Sequence, residues 1–310
     1  NISSVIINEA IQQYDFIKDE IDQPELRLKV MEILRAEYAI QKKYHSLAKI
    51  FKDYYKQESV TSLGKDKETQ ANIEYIMAYT FLELRNFSDS QRHLVFLKKL
   101  MDAEERILLN YIGRYIAIES FIRVFENKMQ QGIDLIENTL TKFRLKISNR
   151  EQLNLSLNLA AFHTVNKEPK KALKIINSMV ESDSFYQKNM GREWLLRKEM
   201  IKAIVLLERE HANMSLKMIH NMEKNYRDLF DKNQYGMVRH FIKTIKMYIN
   251  NPHEVKNSTL HQIEKDIKLN KTKVFKDPRL IIFYSWIKSK YSKKDVYDIL
   301  LDEFEKLNET

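Results

Sequence analysis

Apolar residues recur along this chain at the three- and four-residue spacing of helix faces, and short polar turns interrupt them regularly. In the clearest unit, Tyr75, Ala78, Tyr79 and Leu82 form one apolar stripe, the segment 85–89 is polar, and a second stripe follows. This pattern predicts two amphipathic helices joined by a tight turn.

Such turns recur throughout the chain and are 39 to 43 residues apart. Their centres lie near Tyr44, Phe87, Met129, Pro169, Ala212, Pro252 and Tyr291. A fixed period of this size is typical of stacked helical hairpins, in which each hairpin buries its apolar face only against its neighbours. The pattern therefore predicts one repeat array.

Small residues frame several of the turns, where two helices must cross closely. Ala160 and Ala172 frame the turn at Pro169, and Ala203 and Ser215 frame the turn at Ala212. This arrangement resembles the tetratricopeptide repeat, although that family repeats every 34 residues and this chain about every 41. The resemblance implies an all-α fold, a right-handed α-solenoid of about seven antiparallel helical hairpins.

We expect one helical-repeat domain over residues 1–310, with two special ends. Residues 1–22 read as an orphan helix from a truncated preceding repeat, since no first helix precedes them. Residues 243–310 read as basic C-terminal capping repeats.

Composition supports an all-α fold and removes several kinds of chemistry. The chain has 5 Gly and 4 Pro, whereas average usage predicts roughly 20 and 15 for this length. Sheet proteins need more turn residues than this. The chain has no Cys, which excludes disulfides, thiolate nucleophiles and iron–sulfur clusters.

The net charge of +9 is concentrated near the C-terminus, because thirteen Lys and Arg face four acids between Lys243 and Lys294. This segment could steer an acidic partner, or it could be the solvated face of a terminal repeat. Since twelve of the thirteen are Lys, we expect no sequence-specific contact with nucleic acid.

No sequence motif points to catalysis. The eight His residues form no metal-binding spacing, and no phosphate-binding glycine loop or nucleophile motif occurs. We expect a non-enzymatic protein with no cofactor and no metal, and we expect His163 to be packed rather than to bind a ligand.

The concave surface of a solenoid is lined mostly by the first helix of each hairpin, which makes it the expected site for a peptide or partner. Amide and guanidinium groups there can bind a peptide backbone or a carboxylate. The predicted binding residues are Asn72, Tyr75, Tyr79, Arg114, Asn154, Asn158, Arg197 and His240.

Two functions fit this pattern. The first is a non-catalytic scaffold that binds a protein or peptide in the concave groove. The alternative is a peptide-sensing regulatory module whose N-terminal output domain, such as a helix-turn-helix, is absent from this chain.

The compartment stays open at this stage. No apolar run is long enough to span a membrane, and no signal peptide is visible, which slightly favours the cytoplasm. Since the chain starts at Asn1 rather than Met, we expect upstream residues to be missing, and export remains an alternative.

Overall fold

The computed structural model describes residues 43–58, 67–230, 236–250, 280–290, 292 and 294–308, with isolated positions 33, 38 and 265. These residues form fourteen α-helices and no strand, which confirms the all-α prediction for this part of the chain. The helices are α1 Tyr44–Glu58, α2 Lys67–Glu83, α3 Phe87–Ala103, α4 Glu105–Phe125, α5 Met129–Phe143, α6 Asn149–Val165, α7 Pro169–Asn177, α8 Asp183–Met190, α9 Arg192–Glu208, α10 Ala212–Asn225, α11 Arg227–Phe230, α12 Gly236–Asn250, α13 Leu280–Ser289 and α14 Val296–Asn308.

Four hairpins share one turn geometry. The pairs α2–α3, α4–α5, α6–α7 and α9–α10 each contain a residue with positive φ: Arg85 (61°), Asn127 (61°), Lys167 (55°) and Glu210 (63°). In each turn the next N–H donates to the carbonyl five residues earlier, at 2.8–2.9 Å, from Asn86 to Phe81, Lys128 to Arg123, Glu168 to His163 and His211 to Leu206. These bonds satisfy carbonyls that the helix end leaves unpaired.

Small residues lie where the two helices of a hairpin cross. The pairs are twelve residues apart in every case: Ala78 and Ser90, Ser120 and Gly132, Ala160 and Ala172, Ala203 and Ser215. The Ser90 hydroxyl donates to the Ala78 carbonyl at 2.7 Å, and the Ser215 hydroxyl donates to the Ala203 carbonyl at 2.8 Å. These bonds require the close approach that small side chains allow.

The chain divides into two compact units, residues 1–93 and 94–310, with the division inside α3. In the first unit, α1 packs against α2 around Leu47, Phe51, Ile73 and Met77, which are almost completely buried. Two polar side chains, His93 and Glu74, pack beside this core. The ring of His93 stacks on Phe81, and its Nδ1 lies 2.7 Å from the Glu74 carboxylate.

In the second unit, successive hairpins lie side by side. Helix α4 contacts α6, and α6 contacts α9, so the first helices form one layer, which we call the inner layer. Helix α5 contacts α6, and α7 contacts both α6 and α9, which places the second helices in an outer layer.

His163 is 1% exposed and lies 2.8 Å from Glu168, which confirms the prediction that it is packed.

The pair α13–α14 packs on hairpins that are far away in the sequence. Helix α13 contacts α6 and α12, and α14 contacts α4. Seven apolar or aromatic residues of α13 are buried, and the Trp286 indole N–H donates to Glu208 at 2.7 Å. The Tyr297 hydroxyl donates to the Val124 carbonyl at 2.7 Å, and the Phe304 ring stacks on Phe125 with centroids 4.2 Å apart.

These contacts lie at the turn ends of three hairpins. Val124 and Phe125 end α4, Glu208 ends α9, and Lys167, in the α6–α7 turn, forms an ion pair with Asp295. The pair α13–α14 therefore covers the half of the inner layer that is close to the turns.

Some predicted features lie outside the described residues. These are the orphan helix 1–22 and the turns near Pro252 and Tyr291. The expectation of a single domain and of basic capping repeats over 243–310 remains a prediction. Among the described helices, none is both long enough and apolar enough to cross a membrane.

Candidate functional site

Four of the predicted binding residues occupy the same place in their hairpins. Asn72, Arg114, Asn154 and Arg197 each lie thirteen residues before the positive-φ residue of the turn. We call these four positions the polar row. From the sequence alone, Asn72 matches Asn154 and Arg114 matches Arg197; the shared turn geometry places all four in one register.

Within the second unit, the polar row runs across adjacent first helices. Arg114 is exposed, whereas Asn154 and Arg197 are half-buried. The Arg114 Nε donates to Glu151 at 3.1 Å, and the guanidinium lies 5.3 Å from the centroid of the Tyr111 ring. Glu151 also accepts the backbone N–H of Ser148 in a capping box, so one carboxylate joins α4 to the start of α6.

Asn158 and Arg197 meet at a crevice in the inner layer, beside α13. The crevice is lined by Phe121, Leu157, Asn158, Ala161, Arg197, Ile201, Ile282 and Phe283. Its apolar residues come from four different helices. The sequence pattern does not predict that these helices meet. Arg197 therefore lies where the polar half of the inner layer meets the half covered by α13.

The remaining predicted residues lie elsewhere. Tyr75 and Tyr79 are half-buried on α2 with ring centroids 6.3 Å apart, and they belong to the first unit together with Asn72. His240 is half-buried on α12.

The outer layer of the second unit contains a larger opening of about 640 Å³, which we call the outer cleft. It lies between the end of α5, the first half of α6, the end of α7 and the segment before α8. The cleft is lined by Leu140, Thr141, Arg144, Asn149, Gln152, Leu153, Ser156, Leu159, Ile175, Ser178, Met179, Val180, Glu181 and Tyr186.

The outer cleft exists because α7 is short. Helix α7 has 9 residues and α6 has 17, so at 1.5 Å per residue α7 covers only about half of its partner. The chain leaves the helix at Ser178, whose hydroxyl donates to the Ile175 carbonyl at 2.7 Å. A serine hydroxyl that bonds a helix carbonyl in this way competes with the backbone N–H groups that would continue the helix, so it disfavours extension of the helix.

The segment after α7 is held by a buried tyrosine. Tyr186 is fully buried, and its hydroxyl accepts the Glu181 N–H at 3.1 Å. Ser182 caps α8 by accepting the Phe185 N–H at 3.2 Å. Burial raises the pKa of the Tyr186 hydroxyl, so it stays protonated at neutral pH.

A half-buried carboxyl group lies near this region on α9. Burial and the charge of Asp183 raise the pKa of Glu199 to about 7, against a smaller opposing effect of Tyr226 and the neighbouring lysines. One oxygen of Glu199 is buried without a hydrogen-bond partner among the described residues. Glu199 therefore titrates near neutral pH.

Sequence reasoning did not find the outer cleft. The sequence predicts a helix over 169–181 and a link over 181–189, whereas α7 ends at Asn177 and α8 occupies Asp183–Met190. The available signal was Ser182 followed by Asp183, since serine at a helix N-cap and an acid in the first turn favour a new helix.

Within the described residues, no group of three His, Asp or Glu side chains could hold a metal ion. No protein-family model matches the sequence, and no curated protein matches it.

Proposed function

We propose that this chain is a non-catalytic binding protein whose helical repeats hold a peptide or a segment of a protein partner. The proposal includes the finer architecture that the sequence predicts, a right-handed solenoid of about seven hairpins that resembles tetratricopeptide repeats. The four equal turns and the four small-residue pairs support a repeat of this kind.

The observation that carries the proposal is the polar row. Amide or guanidinium side chains recur at one register in four hairpins. Asn can donate to and accept from a peptide backbone, and Arg binds carboxylates with two parallel hydrogen bonds. A ligand that runs across the first helices of the second unit would meet Arg114, Asn154 and Arg197 in turn.

The packing of α13–α14 limits where such a ligand binds. The half of the inner layer near the turns is apolar and covered, for example at Phe121 and Leu157. The polar row lies farther from the turns. We therefore place the ligand along the polar-row residues of the second unit, Arg114, Asn154 and Arg197, and beside Asn158.

The test uses a random twelve-residue peptide library displayed on phage and selected on the full chain. Affinities of the enriched peptides are then measured by calorimetry. We expect Asn154→Ala combined with Arg197→Ala to weaken binding about tenfold or more, because two charged or amide contacts of about 1 kcal/mol each are lost. Helicity and melting temperature should change little.

The matched control is Asn213→Ala combined with Lys217→Ala, which removes one amide and one positive charge from exposed positions on α10. Its affinities should equal those of the parent chain. An unchanged affinity in the polar-row variant would remove the polar row as the site, and a selection that enriches no peptide would contradict a peptide-binding function.

A further inference from the structure

We propose that the outer cleft is a second binding site, separate from the polar row, and that it takes an extended peptide segment with aliphatic side chains and an acidic side chain. The two sites share no residue. The outer cleft is formed by second helices and the start of α6, whereas the polar row lies on first helices.

Size and wall chemistry suit a peptide segment. A volume of about 640 Å³ falls within the range of roughly 300–1,000 Å³ that is usual for ligand sites. The walls are aliphatic at Leu140, Leu153 and Ile175, while Asn149 and Ser156 offer polar groups. Neither of these two side chains makes a hydrogen bond within the described residues, so both are free to bind a peptide backbone.

The rim exposes aliphatic side chains to an unusual degree. Val180 lines the cleft and is 83% exposed, and Leu145, next to Arg144 at the rim, is 98% exposed. Among the large apolar residues of the described chain, these two have the highest exposures. Exposed aliphatic side chains beside a concave opening are typical of interaction surfaces.

The rim is also preformed. The Tyr186 hydroxyl holds the backbone at Glu181, directly after Val180, and the Ser182 cap fixes the next residues. Val180 therefore lies in a segment that is already ordered. Binding at Val180 costs less conformational entropy than binding that must first order a loop.

The two rims of the outer cleft differ in charge. Residues 138–150 contain Lys142, Arg144, Lys146 and Arg150 and no acid. Lys146 lies 3.8 Å from Glu105, but Arg144, which lines the cleft, forms no ion pair within the described part of the chain. The opposite rim has one acid, Glu181. An acidic side chain on the α5 side would therefore complement the cleft, since Arg binds carboxylates strongly.

The experiment measures fluorescence anisotropy of three pools of labelled eight-residue peptides with the full chain. All pools alternate Leu, Ile or Val with a second residue type, which is Asp or Glu in the acidic pool, Lys or Arg in the basic pool and Ser or Asn in the neutral pool. All peptides are acetylated and amidated, so the pools carry no terminal charge and differ only in the alternating side chains.

We expect the acidic pool to bind about tenfold more tightly than the other two, and the difference to shrink at high salt. Arg144→Glu and Val180→Glu should each weaken this binding about tenfold. The matched controls Lys217→Glu and Met214→Glu make the same changes on α10, at an exposed lysine and a 57% exposed methionine, and should bind as the parent does. Circular dichroism checks that all four variants are folded.

Three results would overturn the inference: equal binding of the three pools, cleft variants that bind the acidic pool as tightly as the parent chain does, or no binding of the acidic pool. Each is distinguishable from failure of the polar row, because Asn154 and Arg197 are unchanged in all these variants. Conversely, loss of binding in the polar-row variant alone would leave the outer cleft without a ligand.

Discussion

At the residue scale, small side chains set how closely the two helices of a hairpin approach. A Cβ atom added to Gly132 would lie 2.9 Å from the Ser120 carbonyl oxygen and 2.8 Å from a methyl group of Val124. Helix propensity alone favours Ala over Gly by about 1 kcal/mol. The two effects have opposite signs, so one substitution decides which of them dominates.

We expect Gly132→Ala to destabilise the protein by roughly 1–2 kcal/mol, because overpacking against backbone exceeds the gain in propensity. Urea unfolding measures the change. The control Gln131→Ala is at an exposed neighbouring position and should stay within about 0.5 kcal/mol of the parent. A more stable Gly132→Ala variant would mean that α4 and α5 do not cross here.

The raised pKa of Glu199 predicts a pH dependence. A carboxyl group that binds its proton more tightly in the folded state contributes stability below its unfolded pKa, 4.5 here, and this contribution is lost as pH rises through about 7. We expect Glu199→Gln to match the parent near pH 4.5 and to become progressively more stable than it up to about pH 8. Melting temperatures at pH 4.5, 6 and 8 measure this. A stability difference that does not vary with pH would contradict the buried environment of Glu199.

At the element scale, much of the hairpin architecture can be predicted, because its signals are local. The apolar stripes and the small residues at Ala203 and Ser215 lie within one hairpin, and α9 and α10 form where the pattern places them. The early end of α7 could not be predicted in the same way. No Gly or Pro lies between Asn177 and Met190. The helix ends instead at Ser178, whose hydroxyl bonds the helix backbone, and Tyr186 is buried beside the segment that follows, which depends on packing.

One of the contacts that hold α14 against α4 is made by a hydroxyl group, that of Tyr297. Tyr297→Phe keeps the ring and deletes the hydroxyl that bonds the Val124 carbonyl and the Met129 backbone, so we expect a loss of about 0.5–1.5 kcal/mol in unfolding free energy. Tyr248→Phe is the control, since the Tyr248 hydroxyl makes no hydrogen bond within the described residues and Lys290 keeps its ring contact. If both variants unfolded at the same urea concentration, the contact between α14 and the end of α4 would be doubtful.

At the scale of the whole molecule, the sequence period indicates which hairpins are neighbours but not where the last pair lies. Tyr297 and Val124 are 173 residues apart, and no local pattern connects them. Polar residues do lie at one register of the first helices, whereas the binding groove itself stays a prediction. The sequence pattern did not anticipate that α13 covers the apolar part of the same layer, nor that an opening on the outer layer would follow from a short α7.

The central structural claim for residues 94–310 is that successive hairpins lie side by side and that α13 closes the apolar half of their inner layer. The chain has two tryptophans, and Trp194→Phe leaves Trp286 of α13 as the only indole. Hydrogen exchange of that indole N–H, followed by NMR in the full chain, tests the claim most directly. We predict slow exchange, because Trp286 is 2% exposed and bonded to Glu208, and faster exchange when Glu208→Ala is added. Exchange as fast as in the urea-unfolded chain, with no effect of Glu208→Ala, would contradict the claim.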